Sequence, residues 1–121
     1  MVDIDGKPSV IILIIAHKSE ISREEQASLK QCHKILGKYP IRLVCPEGLD
    51  VSCYKDVISY CEVDFIEPKW QSTYRMFNRL KIDPFIYKRY KRYAYILFYE
   101  LDAWVFRNDL HYWCEQGYDY I

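Results

Sequence analysis

VIILIIA, residues 10–16, is a run of seven apolar residues with no polar break. β-Branched residues dominate it, which favours an extended chain. A strand with no polar alternation is buried on both faces, as in a parallel sheet covered by helices. The run is far too short to span a bilayer, and Asp3 and Asp5 stand where a secretory signal carries basic residues. A cytoplasmic protein is the resulting expectation.

Outward from this strand, the pattern alternates. After the polar loop HKSEIS, Ser22 and Glu25 have capping-box spacing. Leu29, Cys32, Ile35 and Leu36 then recur at helical spacing, up to a stop at Gly37. IRLVC (Ile41–Cys45) reads as a second strand, residues 51–59 as a short helix and CEVDFI (Cys61–Ile66) as a third strand. Ser72 is the expected cap of TYRMFNRLK, with Tyr74, Phe77 and Leu80 on one side. Asp83-Pro84 opens PFIYKRYKR, since Asp caps well and Pro suits a first helical turn. AYILFY (Ala94–Tyr99) is the fourth strand, and AWVF after it is expected to continue extended. Asn108 or Asp109 caps LHYWCEQ, Gly117 ends it, and YDYI reads as the start of another strand.

Strands alternating with helices predict a single α/β domain over residues 1–121, three-layered and Rossmann-like, with helices on both faces of a mostly parallel sheet. Composition agrees: half the 121 residues are hydrophobic, and only four are Gly and five Pro. That is too apolar for a disordered chain. Seventeen Lys and Arg balance seventeen Asp and Glu, which argues against nucleic acid as a partner. The cysteines at 32, 45, 53, 61 and 114 form no CxxC pair. They read as reduced, buried thiols, because Cys45, Cys53 and Cys61 lack finger or ribbon spacing. No GxGxxG, P-loop or nucleophile-elbow signature occurs, and no catalytic residue is assigned.

In such sheets ligands gather beyond the carboxyl ends of the strands. That rule lines up His17 and Lys18, Glu47, the segment Glu67–Trp70, and Glu100 to Asp102 along one rim. In an extended chain Glu100 and Asp102 would face one side together, where like charges repel. A hard divalent cation resolves that conflict, and so does pairing with Lys or Arg. Trp70, in a loop at this rim, is the tryptophan placed to stack a sugar, whereas Trp104 and Trp113 are expected in the core. YKRYKRY (Tyr87–Tyr93), the most basic stretch, reads as an exposed helix face with its tyrosines packed inward.

YILFYELDAWVF (Tyr95–Phe106), a strand followed by carboxylate-x-Asp, resembles the DxD motif of GT-A-type glycosyltransferases. Together with SLKQCHKILGKYPIRLVCPEGLD (Ser28–Asp50), FNRL (Phe77–Leu80) and YWCEQGYDYI (Tyr112–Ile121), it makes nearly the whole chain similar to the N-terminal part of an uncharacterised bacterial family, a domain of unknown function grouped with glycosyltransferases. The resemblance implies the nucleotide-sugar-binding half of a GT-A fold. Asp102 and Glu100 would then ligate Mn²⁺ or Mg²⁺, and His17, Lys18, Glu47, Asn78 and Arg79 would contact the nucleotide-sugar donor. Glu100 departs from the usual Asp, so Asp102 is the safer ligand. The acceptor is a glycan or other group that the residues do not specify. GT-A domains are normally longer, so the sequence is expected to stop inside its domain, inactive alone and with edges that favour a homo-oligomer. A non-catalytic nucleotide- or protein-binding module, or an inactive remnant, is the alternative.

Overall fold

Four parallel strands organise the computed structural model, which describes residues 2, 6–59 and 61–120. β1 (Val10–Ile15), β2 (Ile41–Pro46), β3 (Glu62–Ile66) and β4 (Tyr95–Tyr99) bond side by side in the order β3-β2-β1-β4. β1 is central, paired in parallel with β2 and β4. Its residues Ile11 to Leu13 and Ile14 are fully buried, which explains the run without polar alternation. Each such side chain contributes roughly 1.5–3 kcal/mol of transfer free energy.

The two faces of β1 divide the core. Val10, Ile12 and Ile14 pack with α1 (Arg23–Leu36), α2 (Ser52–Lys55) and α5 (Leu110–Glu115). Ile11 and Leu13 pack with a 3-10 turn (Pro68–Gln71), α3 (Tyr74–Leu80) and α4 (Pro84–Arg89). The result is a three-layer, Rossmann-like α/β fold with an all-parallel sheet.

Local chemistry sets the helix ends. Ser22 Oγ accepts from Glu25 N at 3.1 Å, while Glu25 Oε1 accepts from Ser22 N at 3.0 Å, completing the expected box. Gly37 ends α1 for a reason other than a left-handed turn. Its φ is −67°, but a Cβ there would sit 2.3 Å from the His33 carbonyl oxygen. Thr73, not Ser72, caps α3 by accepting from Met76 N at 3.1 Å; Ser72 Oγ instead donates to Lys69 O. Asp83 caps α4 through Phe85 N, as expected.

Two expected extended segments are not strands. β4 ends at Tyr99, and Ala103 N bonds back to Glu100 O at 3.0 Å, so Glu100 and Asp102 occupy a turn. The cause is α1. Ser28 Oγ donates to Ala103 O at 2.6 Å and Gln31 Nε2 to Val105 O at 2.8 Å. Those carbonyls are therefore spent on helix side chains, and no sheet neighbour receives them. Residues 118–120 also form no strand; they follow Gly117, at φ 80°, and line a hollow beside β4 with Trp113. Ile121 lies outside the described residues.

Candidate functional site

The chain runs from β1 through β2 to β3 on one side of the sheet, and β4 lies on the other side of β1. The strand order thus reverses between β1 and β4, where the carboxyl ends of doubly wound sheets hold ligands. A cleft of about 350 Å³ opens at that point.

The loop after β1 supplies His17 and Lys18, and the turn after β4 supplies Glu100, Leu101 and Asp102. Tyr54 of α2 donates to Lys18 O at 2.8 Å and fixes the loop backbone. Lys18 Nζ pairs with Glu25 at 2.7 Å, so the residue that caps α1 also anchors a cleft lysine. The Lys18 bond, opposed by some burial and helped by Ser22, holds the Glu25 carboxyl below its ordinary range.

α3 forms the facing wall. Tyr74, Phe77 and the C-cap Lys81 follow i, i+3, i+7 spacing and all line the cleft, as one helix face requires. Lys81 Nζ lies 4.5 Å from the Phe77 ring centroid and forms an ion pair with Glu100. Tyr74 is 81% exposed, so the Tyr74–Phe77–Leu80 face divides: Leu80 enters the core and the two rings line the cleft. Two lysines are therefore matched by two carboxylates. Asp102 is exposed, and among the described residues its carboxylate has no hydrogen-bond or ion-pair partner.

Of the residues singled out in the sequence, His17, Lys18, Glu100 and Asp102 meet here. Glu47, Asn78 and Arg79 do not line the cleft. Glu47 sits in an exposed turn closed by Leu49 N to Pro46 O at 3.2 Å, with Gly48 at φ 88°. Arg79 lies across α3 from the cleft face, 3.8 Å from Asp83, and Asn78 is exposed beside it. Lys81, Glu25, Tyr54 and the ring pair Tyr74 and Phe77 were not foreseen as site residues. The helical spacing of 74, 77 and 81 was the available signal.

The tryptophans are reversed from expectation. Trp70 is only 7% exposed and stacks on Phe85 with planes 3° apart and centroids at 5.6 Å. The 3-10 turn folds it inward. Trp104 is 49% exposed because the chain leaves the sheet after Tyr99, and Trp113, on α5 at the hollow beside β4, is 44% exposed.

No three His, Cys, Asp or Glu side chains converge as a metal cage among the described residues. A cation at the cleft would rest on Asp102, on Glu100 once released from Lys81, and on ligand oxygens, a partition usual for Mg²⁺. The cysteines are free thiols. Burial pushes Cys32 up to about 12 and Cys45 up to about 11, which makes them poor metal ligands.

The profile of the family described as Protein of unknown function (DUF5672) matches residues 60–121, a little over half of the chain. The chain belongs to this family. The DUF5672 match takes in β3, α3, α4 and β4, hence the Tyr74–Phe77–Lys81 wall and the Glu100–Asp102 turn; the β1 wall precedes it. No curated protein and no solved structure matches the chain. No helix among the described residues is long and apolar enough to cross a membrane.

Proposed function

We propose that the switch-point cleft binds a nucleotide-sugar, as the donor half of a GT-A-type, metal-dependent glycosyltransferase that passes the sugar to an acceptor of still open chemistry. The observation that carries this reading is Asp102, unpartnered among the described residues, sharing one cleft with Lys18, Lys81 and the rings of Tyr74 and Phe77. Asp102 offers a hard oxygen to Mn²⁺ or Mg²⁺, and Glu100 joins it only by exchanging Lys81 for the cation. When bound, the cation supplies positive charge that offsets the departing nucleoside diphosphate. Lys18 and Lys81 bind phosphate oxygens, Tyr54 orients Lys18, and the α3 rings stack a planar base. His17 closes the cleft beside the nucleoside.

Calorimetric titration with UDP- and GDP-sugars, with and without Mn²⁺, tests this. Metal-dependent binding that disappears in Asp102→Ala is the expected result; binding that survives the substitution removes the site. The Lys81–Glu100 pair favours a second reading, a nucleotide-binding module that needs no metal. Binding undiminished by EDTA selects that one.

A further inference from the structure

The basic stretch Tyr87–Tyr93 does not line the cleft and reaches it only through Tyr87, whose hydroxyl donates to Lys81 O. Its arginines instead meet at a second hollow of about 220 Å³, near the amino ends of β1 and β2. Arg42 and Asp64 lie on the sheet face that otherwise carries Val44 and Ile66. Arg89, Tyr90, Arg92 and Tyr93 descend on them from the end of α4.

Asp64 bridges the groups at this hollow. Its Oδ1 is 3.2 Å from Arg42 Nη1 and 3.9 Å from Arg89 Nη2, and its Oδ2 accepts from Tyr90 at 2.6 Å. One carboxylate thus stands between two guanidiniums and also accepts from the Tyr90 hydroxyl. Glu62 takes Arg42 as well, through the same Nη1 at 2.6 Å. Arg92 has no carboxylate partner among the described residues; its Nη2 donates to Tyr93 Oη at 2.9 Å and its guanidinium lies 5.0 Å from the Tyr93 ring. Three guanidiniums therefore line the hollow with the one carboxylate, Glu62 lies outside it, and Lys88 and Lys91 stand exposed nearby. Each guanidinium carries five N–H donors in a planar fork and cannot discharge. Arg89 Nη1 also donates to Phe65 O at 2.9 Å. Most of the other donors have no partner among the described residues, and forks of this kind match the tetrahedral oxyanion of a phosphate group.

We infer that this hollow is a phosphate-binding site, in which Arg42, Arg89 and Arg92 hold the oxygens of a phosphate group and the Tyr93 hydroxyl positions Arg92. It is separate from the cleft and does not rest on the function proposed there.

The test is calorimetry on the full chain at low ionic strength with EDTA present. Inorganic phosphate is titrated in one arm, with chloride at matched ionic strength as control. Phosphatidylcholine vesicles with and without phosphatidic acid form the other arm. Phosphate is expected to bind with a Kd below about 1 mM. Arg92→Ala should weaken it about tenfold or more and leave the melting temperature of the free protein unchanged, because Arg92 belongs to no carboxylate network. Asp102→Ala should have no effect. Binding of phosphatidic acid vesicles in preference to free phosphate, lost in Arg92→Ala, would place the phosphate on a lipid headgroup and support the site. A response no greater than that to chloride in both arms, or one unchanged in Arg92→Ala, overturns it.

Discussion

The hydroxyls of Ser28 and Tyr99 lie 2.7 Å apart in the core, and both reach the carbonyl of Ala103, at 2.6 and 3.2 Å. Ser28 is 2% exposed and Tyr99 5%, so this contact ties α1 to the end of β4 out of reach of water. It turns the chain at Glu100–Ala103 and sets where Asp102 stands.

Removing either hydroxyl should therefore loosen the site as well as the fold. Ser28→Ala and Tyr99→Phe are each expected to cost about 1–3 kcal/mol, the range for an unsatisfied buried polar group. Because the groups share an acceptor, the double variant should cost less than the sum. Urea unfolding of all three variants measures the coupling.

Lys81→Met should separate stability from binding. The Lys81–Glu100 pair is partly solvated, with Glu100 45% exposed, so its loss should change stability by no more than about 1 kcal/mol. Nucleotide-sugar affinity should fall about tenfold as one charged phosphate contact disappears. Equal affinity in the variant would remove Lys81 from the phosphate subsite.

The tryptophans should behave oppositely. Trp70→Ala empties a buried position stacked on Phe85 and is expected to cost about 3–5 kcal/mol. Trp104→Ala, at an exposed position, should stay within about 0.5 kcal/mol. Thermal unfolding distinguishes them, and similar losses would contradict the burial pattern.

Glu25 predicts the direction of acid sensitivity. Its folded carboxyl titrates below the ordinary value of 4.5, so the unfolded chain binds the proton first as pH falls. The stabilisation is full above 4.5 and is lost as pH drops through the lowered value. Glu25→Gln should be less stable at neutral pH and should flatten the acid limb of a stability–pH curve below 4.5.

The buried thiols predict the alkaline side. Cys32 and Cys45 are raised from 9.0 to about 12 and about 11, so their contribution is intact below pH 9 and declines as pH rises towards those values. In the native protein iodoacetamide should modify the half-buried Cys53 well before Cys32 or Cys45, which should react only on unfolding. Mass spectrometry of the labelled protein reads the order.

The sequence alone determined the layered α/β fold, because its signals are local. VIILIIA could satisfy its unbroken apolar character only at the centre of a covered sheet, and Ser22 with Glu25 could only begin a helix. The rim pairing of His17 and Lys18 with Glu100 and Asp102 followed from the same rule. Tertiary structure decided what each polar side chain does, since ion pairs and hydrogen bonds join residues distant in sequence. Glu100 met Lys81, nineteen positions away, while Asp102 has no partner among the described residues. Ser28 and Gln31 captured the carbonyls of Ala103 and Val105 and stopped an expected strand. Arg79 and Lys81 look alike as letters, but two residues is about 200° of helix, and that rotation sends one to solvent and the other to the cleft.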